Sequence, residues 1–180
     1  MSCQESQIRR MIIHVCSLAR LYSTVEATGA RHVVTLLGAG DYIERPSGVP
    51  AGNHLFLRMH DISEPLDGHI APDAEHVEDL LDFVRGWDRA APLVVHCFAG
   101  ISRSTAAAFV SVCALEPARD EQAIAWAIRR ASPTATPNIR IVKFADAMLR
   151  RNGRMVTAVE AIGRGRLAEE GVPFRLALTA

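Results

Sequence analysis

A cysteine and an arginine stand six residues apart in the segment 96–104, which reads HCFAGISRS. A loop of this length allows its backbone N–H groups to surround one tetrahedral oxyanion. The thiolate of Cys97 would then lie beneath the oxyanion, and the planar guanidinium of Arg103 would bind two of its oxygens. These residue types in this arrangement suit nucleophilic attack on a phosphate ester, so the first hypothesis is a cysteine-dependent phosphatase.

The spacing alone is weak support, because Cys3 and Cys113 also have an arginine six residues later. Neither of them has a glycine before that arginine, and Cys113 lies within an apolar run. Around Cys97 the context differs. The apolar, β-branched run at 93–95 predicts a buried strand, and the run that begins at Ser104 predicts a helix whose N-terminus favours an anion. Gly100 supplies backbone freedom in the middle of the loop.

The decapeptide 95–104, VHCFAGISRS, resembles the signature loop V-H-C-x-A-G-x-S-R-S of protein tyrosine phosphatases. The resemblance is to the cysteine-dependent protein tyrosine phosphatase superfamily and its dual-specificity-like branch, as a bacterial-type tyrosine phosphatase. It covers the loop and its flanking elements closely, and the order of elements across residues 11–150 more loosely. It implies hydrolysis of protein phosphotyrosine, with or without dual specificity, through a phosphocysteine intermediate.

Each residue of the loop has an expected role in this chemistry. Cys97 is the nucleophile, Arg103 binds the phosphoryl oxygens, and Ser104 hydrogen-bonds the sulfur or serves only as an early helix residue. His96 orients the loop or is a plain strand-end histidine. The predicted phosphate-binding residues are Phe98, Ala99, Gly100, Ile101, Ser102 and Arg103.

The general acid must come from elsewhere in the chain. In the resembled family it is an aspartate on a loop that precedes the signature loop, and Asp61 follows a predicted strand in that position. Glu64 and Asp67 are alternatives on the same loop, and a solvated loop carboxylate is the other interpretation of each. The W-P-D tripeptide of better-known members is missing, and His60 precedes Asp61 instead. Asn138, after Pro137, is interpreted as a helix N-cap first and as a brace for the site second.

Strand and helix patterns alternate along the chain and predict an α/β fold. We expect a central, mostly parallel sheet of four to five strands with helices on both faces, and the signature loop between the last central strand and a helix. Residues 1–165 are predicted to form one phosphatase domain. Residues 166–180 are predicted to form a C-terminal tail, either packed through Phe174 and Leu176 or loose.

Composition narrows the remaining possibilities. The chain has 180 residues, 49% of them hydrophobic, and a formal net charge of zero. These values predict one domain with a full core and give no support for nucleic acid or membrane as a partner. The four cysteines lack zinc-type spacing, so no metal or other cofactor is expected. With no signal peptide in the sequence, a cytoplasmic monomer acting on a phosphorylated protein or peptide is expected.

Three alternatives stay open at the level of sequence. The first is a catalytically inactive module that binds phosphate esters. The second is a phosphatase for a non-protein substrate such as an inositol phosphate, which the apolar loop residues Phe98 and Ile101 argue against weakly. The third is a sulfur-transfer or arsenate-reducing enzyme with a similar loop.

Overall fold

Short runs of β-branched and apolar residues form one five-stranded sheet in the computed structural model, which describes residues 11–178. The spatial order is β3-β2-β4-β1-β5. The first four strands are parallel, and β5 runs antiparallel to β1 at the edge. The strands are β1 (Ile12–Ser17), β2 (His32–Leu37), β3 (His54–Arg58), β4 (Leu93–Cys97) and β5 (Phe174–Ala177).

Six α-helices complete the described part of the chain. Their bounds are α1 (Leu21–Thr28), α2 (Ala74–Gly86), α3 (Arg103–Leu115), α4 (Glu121–Ala131), α5 (Ile139–Met148) and α6 (Arg154–Ile162). In residues 11–178, no helix combines the length and the apolar character needed to cross a membrane.

The helices cover the two faces of the sheet unequally. Helix α1 packs on one face in a small apolar cluster that includes Leu21, Val25 and Val94. The other five helices and the opposite face of the sheet share the main core, in which α3 is the central element and is almost wholly buried. Burial on both sides explains why most residues of β2 and β4 are apolar, without the regular alternation with polar residues that a half-exposed strand shows. The predicted α/β fold is therefore confirmed.

Element boundaries differ from the predictions mainly at the end of β1. The sequence pattern of residues 17–28 predicts a helix from about residue 17, but in the structure the strand extends to Ser17 and a short 3₁₀ turn follows. Parallel pairing explains the extension, because Ser17 lies in register with Cys97 on β4. Gly29 ends α1 in the left-handed region, with φ of 68°, as expected for a helix C-cap.

The C-terminal segment lies against the domain. Residues 174–177 pair with β1, and Phe174 and Leu176 are buried in the main core, which is the packed alternative of the two. Ahead of β5, the amide of Gly171 donates to the carbonyl of Ala99 in the signature loop. The predicted boundary at residue 165 stays a prediction, but residues 174–177 complete the sheet.

The carboxyl ends of the central strands meet at one edge of the sheet. Ser17 of β1 and Leu36 of β2 both lie in register with Cys97, the last residue of β4. Residues that follow these strands are therefore brought together above Cys97, where ligands bind in parallel sheets. Asp61 follows β3 at this same edge.

Candidate active site

The segment 97–103 forms a tight loop between β4 and α3. Gly100 sits at its middle with φ of 74°, a conformation that L side chains rarely adopt. A Cβ atom at this position would lie 2.8 Å from the backbone nitrogen of Ser17 and 2.9 Å from the carbonyl carbon of Cys16. Glycine is therefore required twice, for its backbone dihedral and for the close approach of the loop to β1.

The carbonyl groups of the loop point outward. Four of them accept hydrogen bonds from backbone N–H groups of other segments: Phe98 from Leu18 (3.1 Å), Ala99 from Gly171 (2.8 Å), Ile101 from Thr136 (2.9 Å) and Ser102 from Asn138 (3.3 Å). Adjacent C=O and N–H groups of a trans peptide point in opposite directions. With the carbonyls held outside, the loop's amides are turned toward its interior, which is the arrangement that binds an oxyanion.

The sulfur atom of Cys97 lies at the floor of this loop. The amide of Gly100 donates to Sγ at 3.3 Å, and the hydroxyl of Ser104 lies 3.1 Å from the same atom. Cys97 is 1% exposed, so both contacts form in a region of low dielectric. The amide of Gly100, the hydroxyl of Ser104 and the N-terminus of α3 thus surround the sulfur atom at the floor of the loop.

Arg103 is 7% exposed and is fixed by the end of the neighbouring strand. Its Nη1 donates to the carbonyl of Met59 at 2.8 Å. Its Nε is buried and makes no hydrogen bond within the described residues, although Oδ2 of Asp61 lies 3.9 Å away. A buried donor with no partner is costly. The unpaired Nε–H is explained if this edge of the guanidinium binds an anion.

Asp61 is brought to the loop by two hydrogen bonds to one carboxylate oxygen. Its Oδ1 accepts from the hydroxyl of Ser102 at 2.7 Å and from Nδ2 of Asn138 at 2.9 Å. Oδ2 receives neither bond and faces Arg103. The side chain of Asp61 is about one-third exposed, so Oδ2 is the oxygen available to exchange a proton with a substrate.

The hydroxyl of Ser102 does not cap the helix that begins after it. Ser102 is the N-cap of α3 but makes no side-chain capping bond, because its hydroxyl donates to Asp61 instead. The first-turn amides of α3 are therefore not consumed by a cap and are left for a ligand.

The other two candidate acids are not part of this arrangement. Glu64 and Asp67 are exposed, and neither carboxylate has a recorded contact with residues 97–103 in the described part of the chain. Asp67 contributes only its backbone carbonyl, which contacts the ring of His69.

His96 is completely buried beneath the loop. Its Nε2 lies 2.7 Å from Oγ1 of Thr35, and the same hydroxyl lies 2.8 Å from Nε2 of His54. Burial, together with the nearby His54, lowers the pKa of His96 to about 3, so the ring is neutral. The neutral ring of His96, the hydroxyl of Thr35 and the ring of His54 thus link the adjacent strands β4, β2 and β3 beneath the loop.

Several groups at the site carried no readable signal in the sequence. The carbonyl of Met59 and the amides of Leu18, Thr136 and Gly171 act through the backbone, so their side chains gave no indication. Asn138 was noted as an N-cap and a possible brace, and it has both kinds of contact: Oδ1 accepts from the amides of Arg140 and Ile141, while Nδ2 reaches Asp61.

Three of the four cysteines lie within the described residues. Cys16, Cys97 and Cys113 are free and buried, while Cys3 lies outside the described residues. Between residues 11 and 178, no group of three or more His, Cys, Asp or Glu side chains is placed to hold a metal ion.

Comparison with known proteins agrees with this geometry. The family model for protein-tyrosine phosphatase matches residues 62–134, which include the whole signature loop. No curated protein matches the sequence significantly.

Solved structures resemble the chain at low sequence identity. The PTP-2 phosphatase of Cydia pomonella superposes with a TM-score of 0.59 at 19% identity, over 75% of this chain and 84% of the other. DUSP15 gives 0.57 at 18% identity, over 88% and 94%. PTPMT1 in complex with PI(5)P gives 0.55 at 15% identity, over 80% and 89%. The fold is therefore that of the dual-specificity phosphatases, and the segment that carries the signature loop matches the protein-tyrosine phosphatase family model.

Proposed function

We propose that this protein hydrolyses phosphate monoesters, foremost phosphotyrosine in proteins, through a phosphocysteine intermediate. The observation that carries the proposal is the loop around Cys97. Four of its carbonyls are bonded outward, the amide of Gly100 donates to the sulfur, and the buried Nε of Arg103 makes no hydrogen bond within the described residues. These features together describe a site for a tetrahedral dianion with a nucleophile beneath it.

In the first step the thiolate of Cys97 attacks phosphorus. The S–P bond forms while the bond between phosphorus and the ester oxygen breaks. Arg103 and the loop amides bind the non-bridging oxygens, and the developing negative charge on the leaving oxygen is neutralised by a proton from Oδ2 of Asp61. Ser102 and Asn138 hold Oδ1, so Oδ2 is directed toward that oxygen.

In the second step water attacks the phosphocysteine and inorganic phosphate leaves. Asp61, now ionised, accepts the proton of the water, and the P–S bond breaks to regenerate the thiolate. The hydroxyl of Ser104, 3.1 Å from Sγ, donates to the departing sulfur and stabilises its charge. No residue changes its net protonation state over the complete cycle.

The rim of the loop supports an aromatic phosphate ester. Phe98 is 63% exposed and stands at a variable position of the loop. Its ring offers a phosphotyrosine ring an edge-to-face or stacked contact. Ile101, the other variable position, is partly exposed and also apolar.

A non-protein phosphate ester is the second candidate. One structural neighbour, PTPMT1, has been solved in complex with PI(5)P, and that lipid is a phosphate ester on an inositol ring. The loop of the present chain offers Phe98 and Ile101 where a further phosphate would be better met by a cation. Phosphotyrosine is therefore the first candidate. A monomeric state and a cytoplasmic location stay predictions.

The test is a substrate panel with four single variants. The wild type should hydrolyse a phosphotyrosine peptide faster than a phosphoserine peptide or an inositol phosphate, and Cys97→Ser should reduce turnover to background. Asp61→Ala should lower kcat about 10²- to 10⁴-fold for esters with poor leaving groups and much less for those with good ones. Glu64→Ala and Asp67→Ala are the matched carboxylate controls. Turnover that survives in Cys97→Ser, or a leaving-group effect in a control and not in Asp61→Ala, would refute the assignment.

A further inference from the structure

An open groove of about 720 Å³ adjoins the site. Its lining includes Asp61, Ser102 and Asn138, which belong to the proposed chemistry. The lining also includes residues 164–168, to which the mechanism assigns no role. The volume is in the range of ligand-binding clefts and exceeds what one phosphoryl group fills.

The segment 164–168 is held close to the signature loop. The amide of Gly165 donates to Oγ1 of Thr136 at 3.0 Å, and the amide of Thr136 donates to the carbonyl of Ile101 at 2.9 Å. A Cβ atom at Gly165 would clash with the backbone carbonyl of Thr134. The backbone at residue 165 therefore packs directly on the strip of chain that borders the loop.

Arg129 fixes the same segment from behind. Its guanidinium donates to the carbonyls of Ile162 (2.6 Å), Gly163 (2.8 Å) and Ala135 (2.7 Å). One cation thus joins the end of α6 to the strip of chain beside the loop. The wall of the groove is a packed part of the domain, so the side chains that it presents have a fixed backbone position.

The wall is positively charged and its charges are unpaired. Arg164 and Arg166 are exposed, and neither guanidinium makes a hydrogen bond or an ion pair within residues 11–178. Asp61 is the one carboxylate that lines the groove, and it is engaged by Ser102 and Asn138. Leu167 stands beside the two arginines with its side chain fully exposed. Two free cations and an exposed apolar side chain border the groove.

We propose that Arg164 and Arg166 bind a second anionic group of the substrate, and that this substrate is a phosphotyrosine-containing polypeptide with an acidic or phosphorylated residue near the phosphotyrosine. The proposal rests on the proposed function, since it concerns a substrate of the same site. A carboxylate and a phosphate offer the arginines the same chemistry, paired anionic oxygens.

A polypeptide suits the groove better than an inositol phosphate does. The loop carries the apolar Phe98 and Ile101 rather than a cation, and the two arginines lie on a separate segment of the groove lining. A compact ring with adjacent phosphates would place its second phosphate near those apolar side chains. A peptide chain that continues from the phosphotyrosine along the groove contacts the arginines, and an apolar residue within it packs on Leu167, which is otherwise left in water.

The experiment uses pairs of phosphotyrosine peptides that differ at one position. Glu, phosphoserine or the neutral isostere Gln is placed one to four residues before or after the phosphotyrosine, and kcat/KM is measured for each. At the preferred position the ratio of Glu to Gln should be roughly 5- to 10-fold, as two solvent-exposed charge contacts contribute. The ratio should approach one at about 1 M salt, where the screening length falls to about 3 Å.

Variants assign the effect to the two arginines. Arg164→Gln combined with Arg166→Gln should reduce the ratio to about one, and the corresponding double Lys variant should retain most of it, since the charge is kept. Arg31→Gln is the matched control, because Arg31 is exposed and stands before β2, at the opposite edge of the sheet. A merely structural defect would lower kcat/KM for both peptides of a pair and leave their ratio unchanged.

A binding measurement separates this proposal from the proposed function. The Cys97→Ser variant is titrated with the same peptides, so discrimination between Glu and Gln is measured without turnover. Discrimination in binding by a protein that hydrolyses no ester would support the groove and refute the enzyme. A ratio of one at every position, a ratio that the double Gln variant leaves intact, or tighter arginine-dependent binding of an inositol bisphosphate than of any peptide would overturn the groove proposal.

Discussion

The side chain of Asn138 has two roles, which substitutions can separate. It caps a helix, and it donates a hydrogen bond to the proposed acid, Asp61. Oδ1 caps α5 by accepting from the amides of Arg140 and Ile141 at 3.1 and 3.3 Å. Nδ2 donates to Oδ1 of Asp61 at 2.9 Å. The backbone amide of Asn138 also donates to Ser102, and a side-chain substitution leaves that bond in place. Asn138→Ala removes both side-chain roles, whereas Asn138→Ser keeps a cap and is too short to reach Asp61.

The two variants should therefore diverge. Asn138→Ala loses an N-cap, which costs about 1 kcal/mol of unfolding free energy, and Asn138→Ser should recover most of that cost. For a domain of this size each kcal/mol corresponds to roughly 2 to 4 °C in Tm. Both variants lose a hydrogen bond to the carboxylate of Asp61, but Ser102 still holds the same oxygen. We expect a loss of about 1 to 2 kcal/mol in the acid-assisted step, roughly 5- to 30-fold in rate.

The assay is kcat/KM for a series of aryl phosphates whose leaving groups differ in pKa. Weaker proton donation should slow the esters of poor leaving groups most, so the plot of log kcat/KM against leaving-group pKa should become steeper in both variants. Thermal unfolding of the same preparations reports the cap. Equal losses for good and poor leaving groups, or a Ser variant as active as the wild type on the poorest one, would refute the role given to Asn138.

Two further predictions concern the loop and its base. Gly100→Ala should lower kcat/KM roughly 100-fold, because the added Cβ would displace the loop from Ser17. The same variant should weaken vanadate binding in parallel. Gly48→Ala is the control for backbone strain alone, since Gly48 also has a positive φ but has open space around it. His96, with its pKa lowered to about 3 from the usual 6.5, binds a proton more readily when unfolded, so the unfolding free energy should fall as pH drops from 6.5 toward 3, by at most about 4 kcal/mol. Denaturant titrations at a series of pH values should show a smaller loss of unfolding free energy in His96→Gln than in the wild type. The same dependence of unfolding free energy on pH in both proteins would contradict a neutral, buried His96 ring.

Local sequence patterns predicted the central part of the fold well. The apolar run 93–95 gave the correct strand, β4, and a helix follows the loop as expected. These elements are almost wholly buried, so most of their residues are apolar and the pattern is strong. The start of the helix that follows β1 was predicted less well. Parallel pairing with β4 prolongs β1 to Ser17, and the local sequence of the segment does not encode that pairing.

The partners of Asp61 show where prediction from sequence ends. Ser102 and Asn138 lie 41 and 77 residues away from Asp61 in the chain, and both reach the same carboxylate oxygen. Residue type suggested a carboxylate on the right loop, but only tertiary structure brings one of three candidates against the guanidinium of Arg103. Selecting among Asp61, Glu64 and Asp67 depended on a loop path that no local preference determines.

The conformation of the signature loop depends on chain segments that the motif does not contain. Its outward carbonyls are bonded by amides from the end of β1, from the strip 136–138 and from Gly171, just ahead of β5. A Cβ atom at Gly171 would lie 2.6 Å from the carbonyl oxygen of Gly100, so the C-terminal segment presses on the apex of the loop. Three distant segments thus hold this one heptapeptide in its conformation. The same C-x₅-R spacing at Cys113 lies within a helix and the turn that follows it, where amides bond to the helix's own carbonyls, so no such cradle forms there.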